Sequence, residues 1–287
     1  MSEAYRDLLN RIQMRYKKMS KGQKAIANYI QENYDKVAFM TASHLGNTVG
    51  VSESTVVRFA NVLDYDGYPK LQKALQESIK TKLTTVQRFE MSKDLDSEEN
   101  IIKRVMNSDI DNIRKTIDEL DSNLIRDTVQ TLKSARKVYI LGMRSSKILA
   151  EYFAFYLNFI MDDVHLIPSG ANDPFDELIN LNECDALVVF SFPRYSNRTF
   201  EVVQFAKQQG ATIIGITDSL MSPLVPHVKL ALTAKYSMTT FIDSLVAPMS
   251  LLNSLIIALT VGERDKLKAK FDLLEEIWKK NNIYTQR

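Results

Sequence analysis

Residues 41–63 read TASHLGNTVGVSESTVVRFANVL, and this stretch predicts two short helices joined by a tight turn. Thr41 and Ser52 stand where each helix would begin, and their hydroxyls can cap the free backbone N–H groups there. Gly50 can adopt the left-handed backbone that such a turn needs. The inward stripe of the second helix comprises Val56, Phe59, Ala60 and Leu63. Two helices joined in this way form the helix-turn-helix arrangement, in which the second helix enters the DNA major groove.

The outward side of the second helix carries the side chains that are expected to meet DNA. These are Ser52, Glu53, Ser54, Thr55, Arg58 and Asn61. Small hydroxyl side chains let a helix end approach the groove and can donate to phosphate or base. Arg58 can bind guanine through two hydrogen bonds or hold a phosphate, and Asn61, further along, is expected to reach a backbone oxygen. The alternative is that all of these are ordinary polar surface residues.

Charge near the N-terminus favours the DNA-binding interpretation. Residues 1–30 contain the basic side chains Arg6, Arg11, Arg15, Lys17, Lys18, Lys21 and Lys24 and the acidic side chains Glu3 and Asp7. A basic helix face is often only a solvated surface. The charge therefore supports DNA binding because it lies beside a helix-turn-helix pattern.

Length and composition limit the class of protein. The chain has 287 residues, enough for about two domains of about 100–200 residues. A composition with 45% apolar and 25% charged residues is that of a soluble globular protein. Cys184 is the only cysteine, which excludes an intrachain disulfide framework and a multi-cysteine zinc site. The N-terminus does not read as a secretory signal, and the apolar run 249–261 is shorter than the roughly 20 residues of a membrane span. We therefore expect a cytoplasmic protein with no membrane partner.

Beyond residue 100, short apolar runs alternate with helical stretches. The runs are 138–142, 164–168, 186–191, 212–216 and 228–232. Apolar strands that are continuous rather than alternating indicate a parallel sheet that is buried on both faces. The predicted fold class is α + α/β: an all-helical N-terminal domain, then a three-layer α/β domain with a five-stranded parallel sheet.

The predicted domains are a DNA-binding domain at 1–80, a helical and acidic linker at 81–106, and an effector-binding domain at 107–287. The acidic, polar stretch 91–99 is the best boundary within that linker. One helix face in this region has the apolar spacing of a buried face. It comprises Ile102, Val105, Ile110, Ile113 and Ile117. The apolar helices at 102–117 and 241–260 offer surfaces for pairing between subunits, with intrachain core as the alternative.

The effector site is expected at one end of the sheet. In an open parallel sheet, ligands bind beyond the carboxyl ends of the strands, where the strand order reverses. The loops after the first and third strands carry the predicted effector residues Gly142, Arg144, Ser145, Ser146, Ser191, Arg194, Ser196 and Thr199. Both loops lead into helix N-termini, where backbone N–H groups and the helix dipole favour an anion. The alternatives are that Ser145 and Ser146 only cap a helix, and that the second loop is a solvated turn with Arg198 on the helix surface and Arg194 pointing outward.

The first part of the chain resembles a known family. The stretch TASHLGNTVGVSESTVVRFANVLDYDGYPKLQKAL, residues 41–75, closely resembles the N-terminal domain of the RpiR family of bacterial transcriptional regulators. The resemblance rests on Gly-Val-Ser at 50–52, Ser-Thr-Val-Val-Arg-Phe at 54–59, and an aromatic-Gly-aromatic-Pro-Leu turn at 65–71. Within that turn we place Tyr68 in the core.

Residues 107–262 resemble the sugar isomerase, or SIS, domain, which binds phosphosugars in isomerases and in these regulators. The Gly-x-Gly-x-Ser pattern of that domain is matched at Gly142 and Ser146, with Arg144 in place of the second glycine. The resemblance implies a phosphosugar effector and a protein that pairs as a homodimer or homotetramer.

The second SIS pattern, Ser-x-Ser-Gly-x-Thr, is matched less well. Ser191 is kept, whereas Pro193 and Arg194 replace the second serine and the glycine, and Ser196 stands where threonine is usual. A hydroxyl is lost and a cation is gained. A non-phosphorylated sugar, a polyol or a carboxylated metabolite is therefore an alternative effector.

The residues favour a regulator over an enzyme. Sugar isomerisation needs a general base, usually Glu or His. His44 lies in the DNA-binding half, His165 lies within a strand and reads as core, and His227 reads as surface. Glu151 and Glu201 have no visible partner. We expect no catalytic residues, no cofactor and no metal.

The function that follows is a transcriptional regulator of a sugar or related carbon catabolism operon. Repression is the commoner mode that the family resemblance implies. The competing hypothesis is a SIS-type sugar-phosphate isomerase, or another enzyme acting on a carbohydrate derivative, with a helical N-terminal oligomerisation domain.

Overall fold

A computed structural model describes residues 3–79, 84–90, 98–168, 173–236 and 242–285. The chain divides into two compact units between Gln87 and Arg88. The acidic stretch predicted within the linker lies outside the described residues at 91–97, and residues 98–106 belong to a helix. The predicted division into DNA-binding domain, linker and effector domain stays a prediction.

The N-terminal unit is all-helical, as predicted. Its helices are α1 (Glu3–Arg15), α2 (Lys21–Val37), α3 (Ala42–Val49), α4 (Glu53–Val62) and α5 (Tyr68–Ile79), and a short helix α6 (Thr85–Glu90) follows. The inward stripe predicted for α4 is fully buried. The same core contains Ile26 and Ile30 of α2, Leu45 of α3 and Leu71 of α5.

Two N-terminal arginines connect α1 to the turn that follows α4. Arg11 donates to the Leu63 carbonyl at 3.1 Å, and its guanidinium lies 5.1 Å from the centre of the Tyr65 ring. Arg15 forms an ion pair with Asp64. Part of the basic charge near the N-terminus is therefore structural.

The C-terminal unit is a three-layer α/β domain. In chain order it contains α7 (Glu98–Asp118), α8 (Ser122–Ser134), β1 (Val138–Gly142), α9 (Lys147–Ile160), β2 (Val164–Leu166), α10 (Pro174–Glu177), β3 (Ala186–Phe190), α11 (Asn197–Gln208), β4 (Thr212–Thr217), β5 (Leu230–Thr233), α12 (Val246–Thr260) and α13 (Arg264–Lys280). The strands pair in parallel in the order β2-β1-β3-β4-β5. The predicted five-stranded parallel sheet is confirmed.

The strand ends differ most from prediction at the two edges of the sheet. β2 ends at Leu166 instead of residue 168, and β5 spans Leu230–Thr233 instead of 228–232. Each edge strand has a hydrogen-bonded neighbour on one side only. Pairing therefore sets their limits, while an apolar run marks only the approximate position.

The apolar face of α7 is largely exposed within the chain, with only Val105 and Ile113 half-buried, so the alternative that this face is intrachain core is wrong. The exposed fractions are 60% for Ile102, 45% for Ile110 and 66% for Ile117. The buried side is polar: the Thr116 hydroxyl donates to the Asn112 carbonyl at 2.7 Å and accepts from the Lys235 N–H at 2.8 Å. Periodicity identifies residues that share a face, but it does not say which molecule covers that face.

The helix α12, by contrast, is a core helix. Its buried side chains include Leu251, Leu252, Leu255 and Leu259, which pack with the sheet residues. Among the described residues, no single helix is long and apolar enough to cross a membrane. α12 and α13 reach the required length and hydropathy only together, across a bend of 109°.

Candidate functional site

The predicted helix-turn-helix is formed by α3 and α4. Thr41 Oγ1 accepts from the His44 N–H at 3.1 Å, and Ser52 Oγ accepts from the Thr55 N–H at 3.3 Å. Each hydroxyl therefore caps its helix, as predicted. Gly50 ends α3 with a φ of 76°, which is the left-handed conformation that the turn requires.

The outward residues of α4 form a hydrogen-bonded cluster at its start. Ser52 Oγ lies 2.9 Å from both Ser54 Oγ and Thr55 Oγ1. Arg58 folds back along the helix, where Nε donates to the Ser54 carbonyl and Nη2 to Ser54 Oγ, each at 3.2 Å. The guanidinium must exchange these bonds before it can reach a base. Glu53 is exposed beside the cluster.

Asn61, the last of the predicted DNA contacts, also has a structural role. Its Oδ1 accepts from the Gly67 N–H at 3.1 Å and so closes the turn before α5. In that turn Tyr68 is buried, and its hydroxyl donates to the Met40 carbonyl at 2.8 Å. The core position predicted for Tyr68 is confirmed, and burial raises the pKa of its hydroxyl. The DNA contact of Asn61 stays a prediction.

The first turn of α2 lies beside the start of α4. A Cβ atom placed on Gly22 would lie 3.2 Å from Val51 Cγ1 and 3.5 Å from Thr55 Cγ2. Lys21, the preceding residue, is exposed. A second helix N-terminus and a lysine therefore lie next to the predicted reading helix, where both would attract a phosphate.

A cleft of about 170 Å³ opens where the strand order reverses, between β1 and β3. The predicted residues that line it are Arg144, Ser145, Ser146, Ser191, Arg194, Ser196 and Thr199. The other predicted residue, Gly142, ends β1. A Cβ there would lie 2.4 Å from the Ser146 carbonyl oxygen, so a side chain at this position would collide with the loop.

The hydroxyls at the two helix starts are not used for capping. Ser146 precedes α9 and Ser196 precedes α11, yet neither side chain makes a capping hydrogen bond. Helix capping therefore does not account for Ser146 or Ser196. Ser191 and Thr199 are also largely buried while lining the cleft. Hydroxyls and helix N–H groups that face one cleft are suited to an anionic or hydroxylated ligand.

Arg144 and Arg194 share an unusual backbone conformation. Their φ angles are 56° and 66°, in the left-handed region that favours glycine. These are the positions where the sugar isomerase pattern has glycine. Both side chains are exposed and line the cleft. The loops thus keep a backbone shape typical of glycine, at a cost of about 1–2 kcal/mol for each arginine, and place two cations at the cleft.

The residues around Arg194 anchor its loop. The Tyr195 hydroxyl donates to Asp218 at 2.7 Å. Burial and then the charge of Asp218 raise the pKa of Tyr195, so the hydroxyl stays protonated. Arg198 is paired with Asp173 and is absent from the described lining of the cleft. Of the two arginines in this loop, Arg194 is therefore the one that lines the described cleft.

Asp243 lines the same cleft and was missed by sequence reasoning. It lies just before α12, and its Oδ1 accepts from Arg88 Nη1 at 2.7 Å. No local pattern marks this residue, because it lies before α12 and follows neither of the two strands whose loops form the predicted site. The partner is 155 residues away along the chain.

The histidines lie away from the described lining of the cleft. The core position predicted for His165 is wrong: its side chain is 36% exposed, is hydrogen-bonded to Asp163 and stacks on Tyr139 at 5.1 Å between ring centres. Edge strand β2 leaves one side of this residue open. His227 is half-buried and contacts the Phe200 ring.

Comparison with known proteins agrees with both units. Residues 6–82 match the helix-turn-helix domain of the rpiR family, and residues 131–258 match the SIS domain. An uncharacterized HTH-type transcriptional regulator of Haemophilus influenzae is 26% identical over 79% of each chain. The HTH-type transcriptional regulator HexR of Escherichia coli is 24% identical over 94% of this chain and 95% of its own.

A solved structure has the same fold. The Vibrio vulnificus NanR protein complexed with ManNAc-6P aligns with a TM-score of 0.56 at 19% identity, covering 97% of this chain and 100% of that one. The two domain matches occur in the order that the α3–α4 pair and the five-stranded sheet indicate. The chain therefore belongs to the RpiR family, with an rpiR-type helix-turn-helix domain followed by a SIS domain.

Proposed function

We propose that this protein is a transcriptional regulator that binds operator DNA and responds to a phosphosugar or a related sugar-derived anion. One observation carries the proposal: a helix-turn-helix unit occurs in the same chain as a cleft lined by two helix starts and two arginines. Relatives named as transcriptional regulators support the DNA-binding role. The expected target is a sugar or related carbon catabolism operon, the expected mode is repression, and the protein acts in the cytoplasm, where its operator lies.

On the DNA side, α4 enters the major groove with its N-terminal end. Ser52, Ser54 and Thr55 donate hydroxyl hydrogen bonds to phosphate or base, beside Glu53. Arg58 leaves Ser54 and binds a guanine or a phosphate. Asn61 contacts the DNA backbone while it holds the turn before α5.

On the effector side, the anionic group binds at the starts of α9 and α11. Backbone N–H groups there bind its oxygens together with the hydroxyls of Ser145, Ser146, Ser191, Ser196 and Thr199. Arg144 and Arg194 add charge-assisted hydrogen bonds, and Gly142 leaves room for the close turn of the first loop. The ManNAc-6P complex of NanR shows a protein of this fold with a phosphosugar, which supports the ligand class.

The cleft is proposed to bind rather than to catalyse. Its described lining contains no histidine or glutamate, and its one carboxylate, Asp243, is held by Arg88. A general base for isomerisation must reach the proton that it removes. We therefore propose no enzymatic activity and no need for a cofactor or metal.

The protein is proposed to act as a homodimer or homotetramer. The exposed apolar face of α7 continues beyond its isoleucines to Met106, which is 62% exposed. Large exposed apolar patches mark interaction surfaces in soluble proteins. A helix-turn-helix protein gains affinity when two copies bind a palindromic site. A second copy is thus the expected cover for this face.

The test is a DNA-binding assay with the fragment upstream of the protein's own gene. We expect retardation of that fragment and a change in its affinity with ligands found by thermal-shift screening of sugar phosphates, free sugars, polyols and sugar acids. A protein that leaves the fragment unbound but converts a sugar phosphate would be a SIS-type enzyme instead.

A further inference from the structure

Helix α6 follows the helix-turn-helix unit, and its residue Arg88 forms an ion pair within the effector unit. The division between the two units falls directly before Arg88. Arg88 is 1% exposed, whereas its neighbours Val86 and Phe89 are 70% and 56% exposed. Among the described side chains of α6, Arg88 is the one that is buried. The groups that Arg88 binds therefore contribute to the position of this helix.

The group that Arg88 binds is part of the wall of the effector cleft. Its Nη1 donates to Asp243 Oδ1 at 2.7 Å, and the side chains of the pair are 2% and 15% exposed. One carboxylate offers roughly four acceptor positions. Asp243 can thus accept from a ligand in the cleft while it is within reach of Arg88.

We propose that Asp243 is a further effector-binding residue and that the Arg88–Asp243 ion pair transmits effector binding to α6. This inference rests on the proposed function, because it assigns the route by which the same cleft affects DNA binding. Ligand hydroxyls donate to Asp243 and draw its carboxylate toward the cleft. Weakening the ion pair of a buried guanidinium with a carboxylate is unfavourable, so Arg88 and α6 shift with Asp243.

The residues around the Arg88–Asp243 ion pair allow two arrangements, one in which Asp243 accepts from Arg88 and one in which it accepts from Tyr236. Phe192, from the effector loop after β3, stacks on Tyr236 with 5.6 Å between ring centres. The buried Tyr236 hydroxyl has no hydrogen-bond partner among the described residues. Burial and then the nearby Asp243 raise its pKa, so it remains a protonated donor beside that carboxylate. Tyr236 can therefore donate to Asp243 when Arg88 moves away. Because Phe192 stacks on Tyr236, this exchange of donors also affects the loop after β3.

The segment around Asp243 also contacts α7. The Ser244 hydroxyl donates to Asp109, in the middle of that helix. A shift of Asp243 therefore affects contacts of both α6 and α7. An effector changes the equilibrium only through its different affinity for the two arrangements, so the route is measurable as a coupling factor.

The experiment measures hydrogen–deuterium exchange and operator affinity on the full chain. The probes are glucose 6-phosphate and 6-phosphogluconate, each with and without operator DNA. The variants are Arg88→Met and Asp243→Asn, with Arg88→Lys as a milder change if Arg88→Met does not fold. The matched control is Arg136→Met, which breaks the ion pair of Arg136 with the buried Asp185 (2.8 Å) at the other end of the sheet.

In the wild type, we expect a bound probe to change exchange at 85–90 and to shift operator affinity by about 5- to 150-fold. Arg88→Met should still bind the probe, but the shift in operator affinity should fall close to onefold. Asp243→Asn should weaken probe binding by about tenfold or more, because a bond to a charged acceptor is lost. The Arg136→Met control should keep the wild-type shift.

The outcomes separate this inference from the proposed function. If the probe binds and shifts operator affinity equally in the wild type and in the Arg88 variants, the proposed route is wrong while the regulator assignment stands. The same conclusion follows if a bound probe leaves exchange at 85–90 unchanged. If the wild type binds neither probe, the phosphosugar assignment fails and this inference falls with it.

Discussion

Replacing Arg194 by glycine separates the backbone conformation of this residue from its charge. With a φ of 66°, Arg194 occupies the left-handed region. Arg194→Gly and Arg194→Ala both remove the cation, but only glycine removes the steric cost of that conformation. The two variants therefore differ in stability while they should share the same loss of effector binding.

The expected difference in stability follows from two opposing terms. A left-handed conformation costs a residue with a Cβ about 1–2 kcal/mol, and the extra chain entropy of glycine costs about 0.5–1 kcal/mol. Arg194→Gly should therefore be the more stable variant, with a free energy of unfolding about 0.5–1 kcal/mol higher than that of Arg194→Ala. For an effector unit of this size, that difference raises the Tm by about 1–4 °C. Both variants should bind an anionic effector less tightly by about 1.5–3 kcal/mol, the value of a charged hydrogen bond.

The assay combines thermal unfolding with effector titration and operator binding. Arg198→Ala is the matched control, because Arg198 pairs with Asp173 rather than lining the described cleft. It should keep effector affinity, and all three variants should keep operator affinity. An Arg194→Ala protein that is more stable than Arg194→Gly would refute the backbone argument. Unchanged effector affinity in both Arg194 variants would refute the anion site at this residue.

Three further predictions concern other parts of the molecule. Arg58→Ala should weaken operator binding by about 1–3 kcal/mol if the residue binds guanine, as measured by fluorescence anisotropy. The control Arg15→Ala breaks the ion pair with Asp64 within the N-terminal unit and should leave sequence preference unchanged. Ile110→Glu places a charge on the exposed face of α7 and should produce monomers in sedimentation experiments; unchanged assembly would exclude this face as the interface. Burial acts to raise the pKa of Asp185, but hydrogen bonds from Arg136 and the backbone outweigh it and lower that pKa. This carboxylate therefore stabilises the fold above about pH 4 and loses that effect as the pH falls, so Asp185→Asn should show a smaller loss of stability between neutral and acidic pH in urea unfolding.

The features that were predicted well are those that a short stretch of sequence determines. The caps at Thr41 and Ser52 and the turn at Gly50 depend on residues a few positions apart. The central strands β1 and β3 are buried on both faces, which gives a continuous apolar run. Strand order then places the loops after these strands at one cleft, because ligand sites in such sheets form where the order reverses.

The features that were missed depend on partners far apart in the chain. Arg11 donates to the carbonyl of Leu63, 52 residues away, and so connects α1 to the turn after α4. The face of α7 has the period of a buried helix, yet nothing within the described chain covers Ile102 or Ile117. A local pattern records that residues will be buried together, but it does not record whether the same chain buries them.

The structure changes the interpretation of Arg144 and Arg194, the two arginines that replace glycines of the sugar isomerase pattern. In the sequence, Pro193 and Arg194 remove a hydroxyl and add a cation, which leaves a non-phosphorylated sugar, a polyol or a carboxylated metabolite as alternatives to a phosphosugar. In the structure, both arginines keep the left-handed backbone that glycine would adopt, so the helix starts still face the cleft. Strained backbone of this kind persists where the surrounding structure enforces it and often accompanies function. The two changes thus leave the backbone shape of the proposed anion site in place and add positive charge to it, so we expect an effector at least as anionic as a sugar phosphate.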